Sequence, residues 1–333
     1  GVSSNSQIPI PELRQRKYLF DWNMSVSHNL TNSIRINYNA SNSNLVQNLG
    51  EDKSNIYNTE IGIFDNFFNI GEPNFFNQNI TLNYQLPFDL IPFLNFIEGS
   101  YNYSGDFNWQ RGSDILNNII SESGQILGRV NTIQNANNQS LSLSLNFDKI
   151  YRKISWLNND DFIITELIKS LKRVRLNYSE NSGKVLPGYI PSIGFLGTTK
   201  PSIGFVFGSQ SDIRYEAAKN GWLTDFQNFN QPFQKIFNSK FDFNGEIELL
   251  KSIRIDLDAN RSYSNNFTEN FNVTNQTYFS SNPNYYGNFS ISSNMLKTSF
   301  KKRNKDFSFS FDKMKKNRII IAQRLISQKR LNN

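Results

Sequence analysis

Ile97-Glu98-Gly99-Ser100-Tyr101-Asn102-Tyr103-Ser104-Gly105-Asp106-Phe107-Asn108-Trp109-Gln110 is the stretch whose reading decides the fold. Its odd positions are aliphatic, aromatic or glycine, and its even positions are polar or acidic. A period of two puts successive side chains on opposite faces of an extended strand, so this is a strand with one apolar face and one polar face.

The same alternation recurs on both sides. Upstream, Tyr18, Phe20, Trp22, Met24 and Val26 are apolar with Asp21, Asn23, Ser25 and Ser27 between them; Ile34, Ile36 and Tyr38 are separated by polar residues, and again Ile80, Leu82, Tyr84 and Leu86. Downstream, Leu141, Leu143 and Leu145 stand against Ser140, Ser142 and Ser144. Val174, Leu176 and Tyr178 follow, then Phe241, Phe243, Ile247 and Leu249, then Ile253, Ile255, Leu257 and Ala259. The pattern predicts an all-β chain of about eight or nine antiparallel strands, several approaching the roughly 9–11 residues that a tilted membrane strand needs.

A soluble sandwich also alternates, and three features favour a membrane barrel. The polar faces carry Asn, Ser, Thr and Gln with few lysines or arginines. Aromatic residues sit near predicted strand ends, at Tyr18, Trp22, Trp109 and Tyr263, where an interfacial girdle belongs. Connection lengths also alternate. Those at 28–33, 87–96 and 250–252 are short, and those at 41–78, 111–138, 181–239 and 264–286 are long, as periplasmic turns and extracellular loops would be. The connection 148–171 is long where a short one is expected, and the spacing of Ile163, Leu167 and Leu171 predicts a short helix within it. Arg261 falls on the apolar-parity face, and with Tyr263 beside it is expected at the outer rim.

Composition narrows the function. The 333 residues include 29 Phe, 14 Tyr and 4 Trp, but no Cys and one His, His28. Disulfides and thiolate metal sites are thereby excluded, and a His-based metal site is disfavoured. A hydrophobic fraction of 38% would suit a soluble protein equally well, and no run of about 20 apolar residues marks a spanning helix. The net charge of +7 comes largely from the surplus in 301–303 and 313–318, which reads as a solvated tail rather than a nucleic-acid surface. Residues 1–299 are assigned to barrel strands and loops. Residues 300–333 are read as a basic segment, with Ile319, Ala322, Leu325 and Ile326 at helical spacing, expected to dock as an amphipathic helix on the rest of a longer protein. The chain starts at Gly1 without a leader-like segment and stops at Asn333 without a closing strand, and is expected to be excised from a longer secreted precursor.

The glycine-rich stretch 183–222 lacks the Gly-Lys-Ser/Thr that closes a phosphate cradle. Its glycines are expected to serve tight turns, and the loop is expected to fold over or into the mouth of the pore. Asp160, Asp161 and Glu166 lack an accompanying nucleophile or histidine, so no catalytic, cofactor or metal residue is assigned and no enzyme activity is expected. The candidate functional residues are positional. Asn102, Ser104, Asp106, Asn108, Ser142 and Ser144 are expected to line a lumen, and Tyr101, Tyr103, Phe107, Leu143 and Leu145 to face lipid.

The long connection is distinctive as a succession of short words: Leu186-Pro187-Gly188-Tyr189, Ile193-Gly194-Phe195-Leu196-Gly197 and Gly204-Phe205-Val206-Phe207-Gly208-Ser209-Gln210. Arg214-Tyr215-Glu216-Ala217-Ala218-Lys219-Asn220-Gly221-Trp222 follows. This order, with 103–110, 260–264 and 286–292, resembles the SprA/Sov family, outer-membrane translocons of the Bacteroidota type IX secretion system, over about 18–328. Gly188, Gly197, Gly208, Arg214, Tyr215, Glu216, Asn220, Gly221 and Trp222 are the signature-loop residues. The resemblance implies an internal fragment of a single very wide barrel in a Gram-negative outer membrane, passing folded cargo to the cell surface and supporting gliding motility. It also implies a PorV-like shuttle barrel and a periplasmic plug protein as partners, alongside lipid and cargo; neither nucleic acid nor a cofactor is implied. The alternatives are another large outer-membrane channel or a TonB-dependent receptor barrel, and behind them a secreted soluble β-rich adhesin.

Overall fold

The computed structural model describes residues 16–48, 71–112, 130–158, 163–226, 229–249, 253–293 and 308–331. Its main feature is a nine-stranded sheet whose spatial order is the chain order. The strands are β1 (Arg16–Asn29), β2 (Ile34–Asn48), β3 (Glu72–Leu86), β4 (Ile97–Gln110) and β5 (Asn131–Asn146), then β6 (Leu171–Tyr189), β7 (Phe233–Leu249), β8 (Ile253–Thr274) and β9 (Thr277–Ile291). Each pair of neighbouring strands from β1 to β8 is antiparallel. The all-β antiparallel expectation therefore stands, as an open sheet: among the described residues β1 and β9 each pair on one side only.

Register carries the two-faced character across the sheet. Ile34, Tyr84, Tyr101, Leu141, Tyr178, Phe241 and Arg261 form one cross-strand row. Leu86, Gly99, Leu143, Leu176, Phe243 and Ala259 form the next. Because the side-chain period is two, slipping any strand by a single residue would exchange its apolar and polar sets, so burial on one face holds the register.

The strands outrun their apolar alternation. β5 begins at Asn131 and β6 continues to Tyr189, so the loop placed at 181–239 narrows to 190–232. The long connection expected at 264–286 is not a loop. β8 runs through it to Thr274, turns at Asn275 and Gln276 with φ of 48° and 59°, and returns as β9 from Thr277. Two successive positive φ values characterise the tight turn that matches the right-handed twist of a hairpin. Arg261 consequently lies well inside a strand instead of at its outer end, with its guanidinium 5.6 Å from the centre of the Phe289 ring.

Between β5 and β6 the chain makes α1 (Phe147–Tyr151), a 3-10 turn (Ser155–Asn158) and α2 (Ile163–Ile168), the helix expected from Ile163 and Leu167; Leu171 opens β6. Asp160 and Asp161 lie outside the described residues. The loop between β6 and β7 holds α3 (Ile203–Val206) and α4 (Arg214–Lys219). The chain divides into two compact units at Ser290/Ile291. The second unit carries α5 (Phe309–Leu331). Its Ile319, Ile320 and Ile321 are consecutive and all exposed, so its apolar residues spread around the axis and no single apolar stripe forms.

Candidate functional site

One face of the sheet is a mat of small polar side chains tied to one another across strands. The Asn79 side-chain amide donates to Ser104 Oγ at 2.9 Å and to Asp106 Oδ1 at 2.7 Å. Ser25 and Ser27 donate to Asn39 and Asn37 at 2.8 and 2.7 Å, and the Asn37 amide donates to Thr81 Oγ1 at 3.1 Å. Ser142 and Ser144 line a shallow depression of about 200 Å³ with Ser100, Asn177, Glu98 and Arg175. Glu98 is paired with Lys149 at 2.7 Å. Asn102, Ser104, Asp106 and Asn108 share this face with Ser142 and Ser144, as parity requires. Hydroxyls and amides that satisfy one another laterally leave a hydrated surface with few strong binding points.

The opposite face has two zones. Towards the short-turn end it is aliphatic and aromatic, with Leu82, Tyr84, Tyr101, Leu143, Leu145 and Phe243 on neighbouring strands. Towards the long-loop end the apolar-parity positions turn polar, at Asn42, Gln78, Asn135, Asn137 and Lys184, all buried. The loop 190–232 lies over this second zone. The Gln78 amide donates to the Val206 carbonyl at 2.8 Å, Asn135 to Phe205 and Ser209 at 3.1 and 2.7 Å, and Asn137 to Gly208 at 2.9 Å. Lys184 donates to the carbonyls of Gln210 and Ser211, and Tyr103 Oη donates to that of Phe207 at 2.6 Å. Side chains of the sheet thus satisfy carbonyls that a docked loop would otherwise leave bare, and each such unpaired group costs about 1–3 kcal/mol when buried.

Apolar packing completes the dock. Phe76, Phe107 and Phe205 pack in sequence, with ring centroids 6.4 and 6.2 Å apart, beside Ile133 and Leu186. Trp109 is buried, and its Nε1 donates to the Pro191 carbonyl at 3.1 Å. At Gly105 the loop backbone comes so close that any Cβ would run into the Phe207 carbonyl. The base of the loop is closed by the Tyr189–Leu223 bridge, with Ile190 N–H donating to Trp222 at 2.9 Å and Thr224 N–H to Gly188 at 2.8 Å.

Arg214 pins the far side of the loop to the β8–β9 hairpin. Its guanidinium pairs with Asp212, at 2.6 Å, and with Glu269, and sits against the rings of Phe233, Phe267, Tyr215 and Tyr278. Glu269 is 2% exposed and also accepts from Tyr278 Oη, at 2.6 Å, and from Ser280 Oγ. Burial alone disfavours the Arg214 charge, but bonds to Asp212 and Glu269 outweigh it and hold the guanidinium more firmly protonated than usual. Partial burial likewise pushes the Asp212 carboxyl up, yet hydrogen bonds from Arg214 and its charge leave it below the ordinary range.

Several sequence-assigned residues thus acquire specific places. Tyr101, Tyr103, Leu143 and Leu145 lie on the apolar face, but Phe107 and Trp109 on that face are sealed beneath the loop instead of standing at the surface. Of the signature residues, Gly188, Gly197, Gly208 and Gly221 have φ between 68° and 104°, the left-handed region that favours glycine. Arg214 and Tyr215 form the pin, Trp222 packs against the core below Lys200 at 5.4 Å, and Glu216 and Asn220 close α4 through a backbone hydrogen bond of 3.0 Å. The sequence reading missed Gln78, Asn135, Asn137, Lys184 and Glu269. All five fall in stretches read as connections, and their place on the apolar-parity face emerges only because the strands continue through them. The loop covers the apolar-parity face of the sheet, bonded there by Gln78, Asn135, Asn137 and Lys184.

Among the described residues no cluster of acidic or histidine side chains could hold a metal ion, and no helix is long and apolar enough to cross a membrane. Neither statement bears on crossing by strands. No protein-family model matches the chain, and no curated protein matches it.

Proposed function

We propose that this chain is a section of the wall of a wide outer-membrane β-barrel, a protein-conducting translocon of the SprA/Sov kind through which folded proteins reach the cell surface. The observation that carries the reading is the unbroken nine-stranded meander with one aliphatic-aromatic face and one face of laterally bonded Asn, Ser and Thr. Lipid tails select the first surface, and a water-filled conduit passing many different proteins suits the second, which offers hydration without sticky charge. A closed barrel of about eight strands would have an interior filled by its own side chains, whereas a wide barrel leaves a channel. The ordered words of 186–222 supply the specific resemblance to a translocon, and with it lipid, cargo, a shuttle barrel and a plug protein as partners.

Depleting the protein and quantifying proteins displayed on the cell surface tests this. Retention of cargo inside the envelope is the expected result, and an unchanged surface proteome would sink the translocon reading. One observation favours a second reading: the loop over Phe76, Phe107 and Trp109 makes a small core of the kind a secreted, soluble β-rich adhesin has. Fractionation separates the two, because the barrel wall stays with membranes through alkaline washing and the adhesin does not.

A further inference from the structure

The apolar zone of the sheet is short where the loop covers it. On β5 the apolar run from Leu141 to Leu145 measures about 13 Å, and on β4 that from Ile97 to Tyr103 about 20 Å, at ~3.3 Å per residue. On β7 it extends from Phe241 to Leu249, about 26 Å by the same measure. An outer-membrane barrel presents a lipid-facing band about 25 Å tall before strand tilt reduces what each residue contributes. Of these three strands, β4 and β5 fall short, and both run beneath the loop. There the loop itself shows apolar side chains outward: Ile190, Phe195, Leu196, Ile203, Phe207 and Tyr215 are all exposed, Leu196 at 72% and Ile203 at 63%. Phe207 adjoins the upper edge of the sheet's apolar zone, since its carbonyl takes the hydrogen bond of Tyr103.

We infer that the outer surface of the loop 190–232 is a lipid-contacting surface, which completes the hydrophobic band over β4 and β5 and rests in the outer leaflet of the bilayer. Leu196 and Ile203 enter the acyl region, while Lys200, held near Trp222, remains at headgroup level as an amphipathic side chain does. The inference rests on the apolar face being the lipid face. Loop backbone at membrane depth is tolerated when its polar groups are bonded to protein, and the donors on Gln78, Asn135, Asn137, Lys184 and Tyr103 provide such bonding.

The chain has no cysteine, so a single introduced thiol is a unique label. Leu196→Cys and Ile203→Cys, with Leu143→Cys as the sheet-face reference and Lys219→Cys as the aqueous one, are labelled with a bimane fluorophore. The full chain is then reconstituted in phosphatidylcholine vesicles carrying bromine high on the acyl chain. Labels at 196 and 203 are expected to be quenched by the brominated lipid about as strongly as the label at 143, and to be shielded from aqueous iodide, unlike the label at 219. Quenching of 143 by lipid together with iodide quenching of 196 and 203 overturns the inference and leaves the barrel reading intact. If 143 itself escapes lipid quenching, the barrel reading fails and this inference fails with it.

Discussion

Glu269 is the residue on which the loop depends most. It is almost fully buried and gathers Arg214, Tyr278 and Ser280. Removing one partner of a buried ion pair strands the other, at a cost of about 3–5 kcal/mol, reduced here because Asp212 still faces Arg214. Glu269→Gln is therefore expected to release the loop without unfolding the sheet, seen as new protease cleavage confined to 190–232. Tyr103→Phe deletes a single hydrogen bond and is expected to cost about 1 kcal/mol in denaturant unfolding. Acid should act through Asp212. Its carboxyl is held below the ordinary range, so its contribution is complete above that range and disappears as pH falls through the lowered value. Loop protection against protease is thus expected to be flat from neutral pH down to about 4 and to fall only beneath it. At this scale the sequence disclosed which face each side chain takes, because parity is local. What covers that face was not legible. Phe107 read as lipid-facing and Trp109 as part of an interfacial girdle, since nothing in their neighbourhood announces a loop arriving from about a hundred residues downstream.

Among the elements, the strands were recognised from their apolar halves and cut short at their polar ones. β5 shows its alternation at Leu141, Leu143 and Leu145, but from Asn131 to Asn138 it reads as polar chain. There the loop supplies the packing that a hydrophobic neighbour supplies elsewhere. The β8–β9 hairpin was missed for a related reason: its turn is Asn275-Gln276, and Gln lacks the tolerance of positive φ that makes Asn-Gly a recognisable signal. Gln276→Gly relieves that strain at a φ of 59° and is expected to stabilise the hairpin by about 1 kcal/mol, read as slower amide exchange across β8 and β9. The helix in the β5–β6 connection was found because Ile163 and Leu167 keep helical spacing over a span too short for a strand pattern to compete.

For the molecule as a whole, the meander was legible because every pairing that makes it joins neighbours in sequence. The side on which the loop lies was not, since that depends on polar residues scattered over separate strands. Those scattered residues also respond to pairing errors. Deleting Asn138 moves Leu141, Leu143 and Leu145 onto the polar face relative to the upper half of β5, and is expected to abolish the membrane-inserted, protease-resistant form in fractionated cells. The wild-type chain faces the same hazard each time it folds, because an Asn- and Ser-rich strand has few large side chains with which to choose among alignments. The loop carries the correction. It reaches back 128 residues to Gln78 and 153 to Asn42, and finds its donors only if the strands between have been laid down in one alignment. Successful docking is therefore a checkpoint: it closes late, over strands already paired, and a misaligned sheet is left with an unseated loop whose exposed chain is the first part a protease would meet.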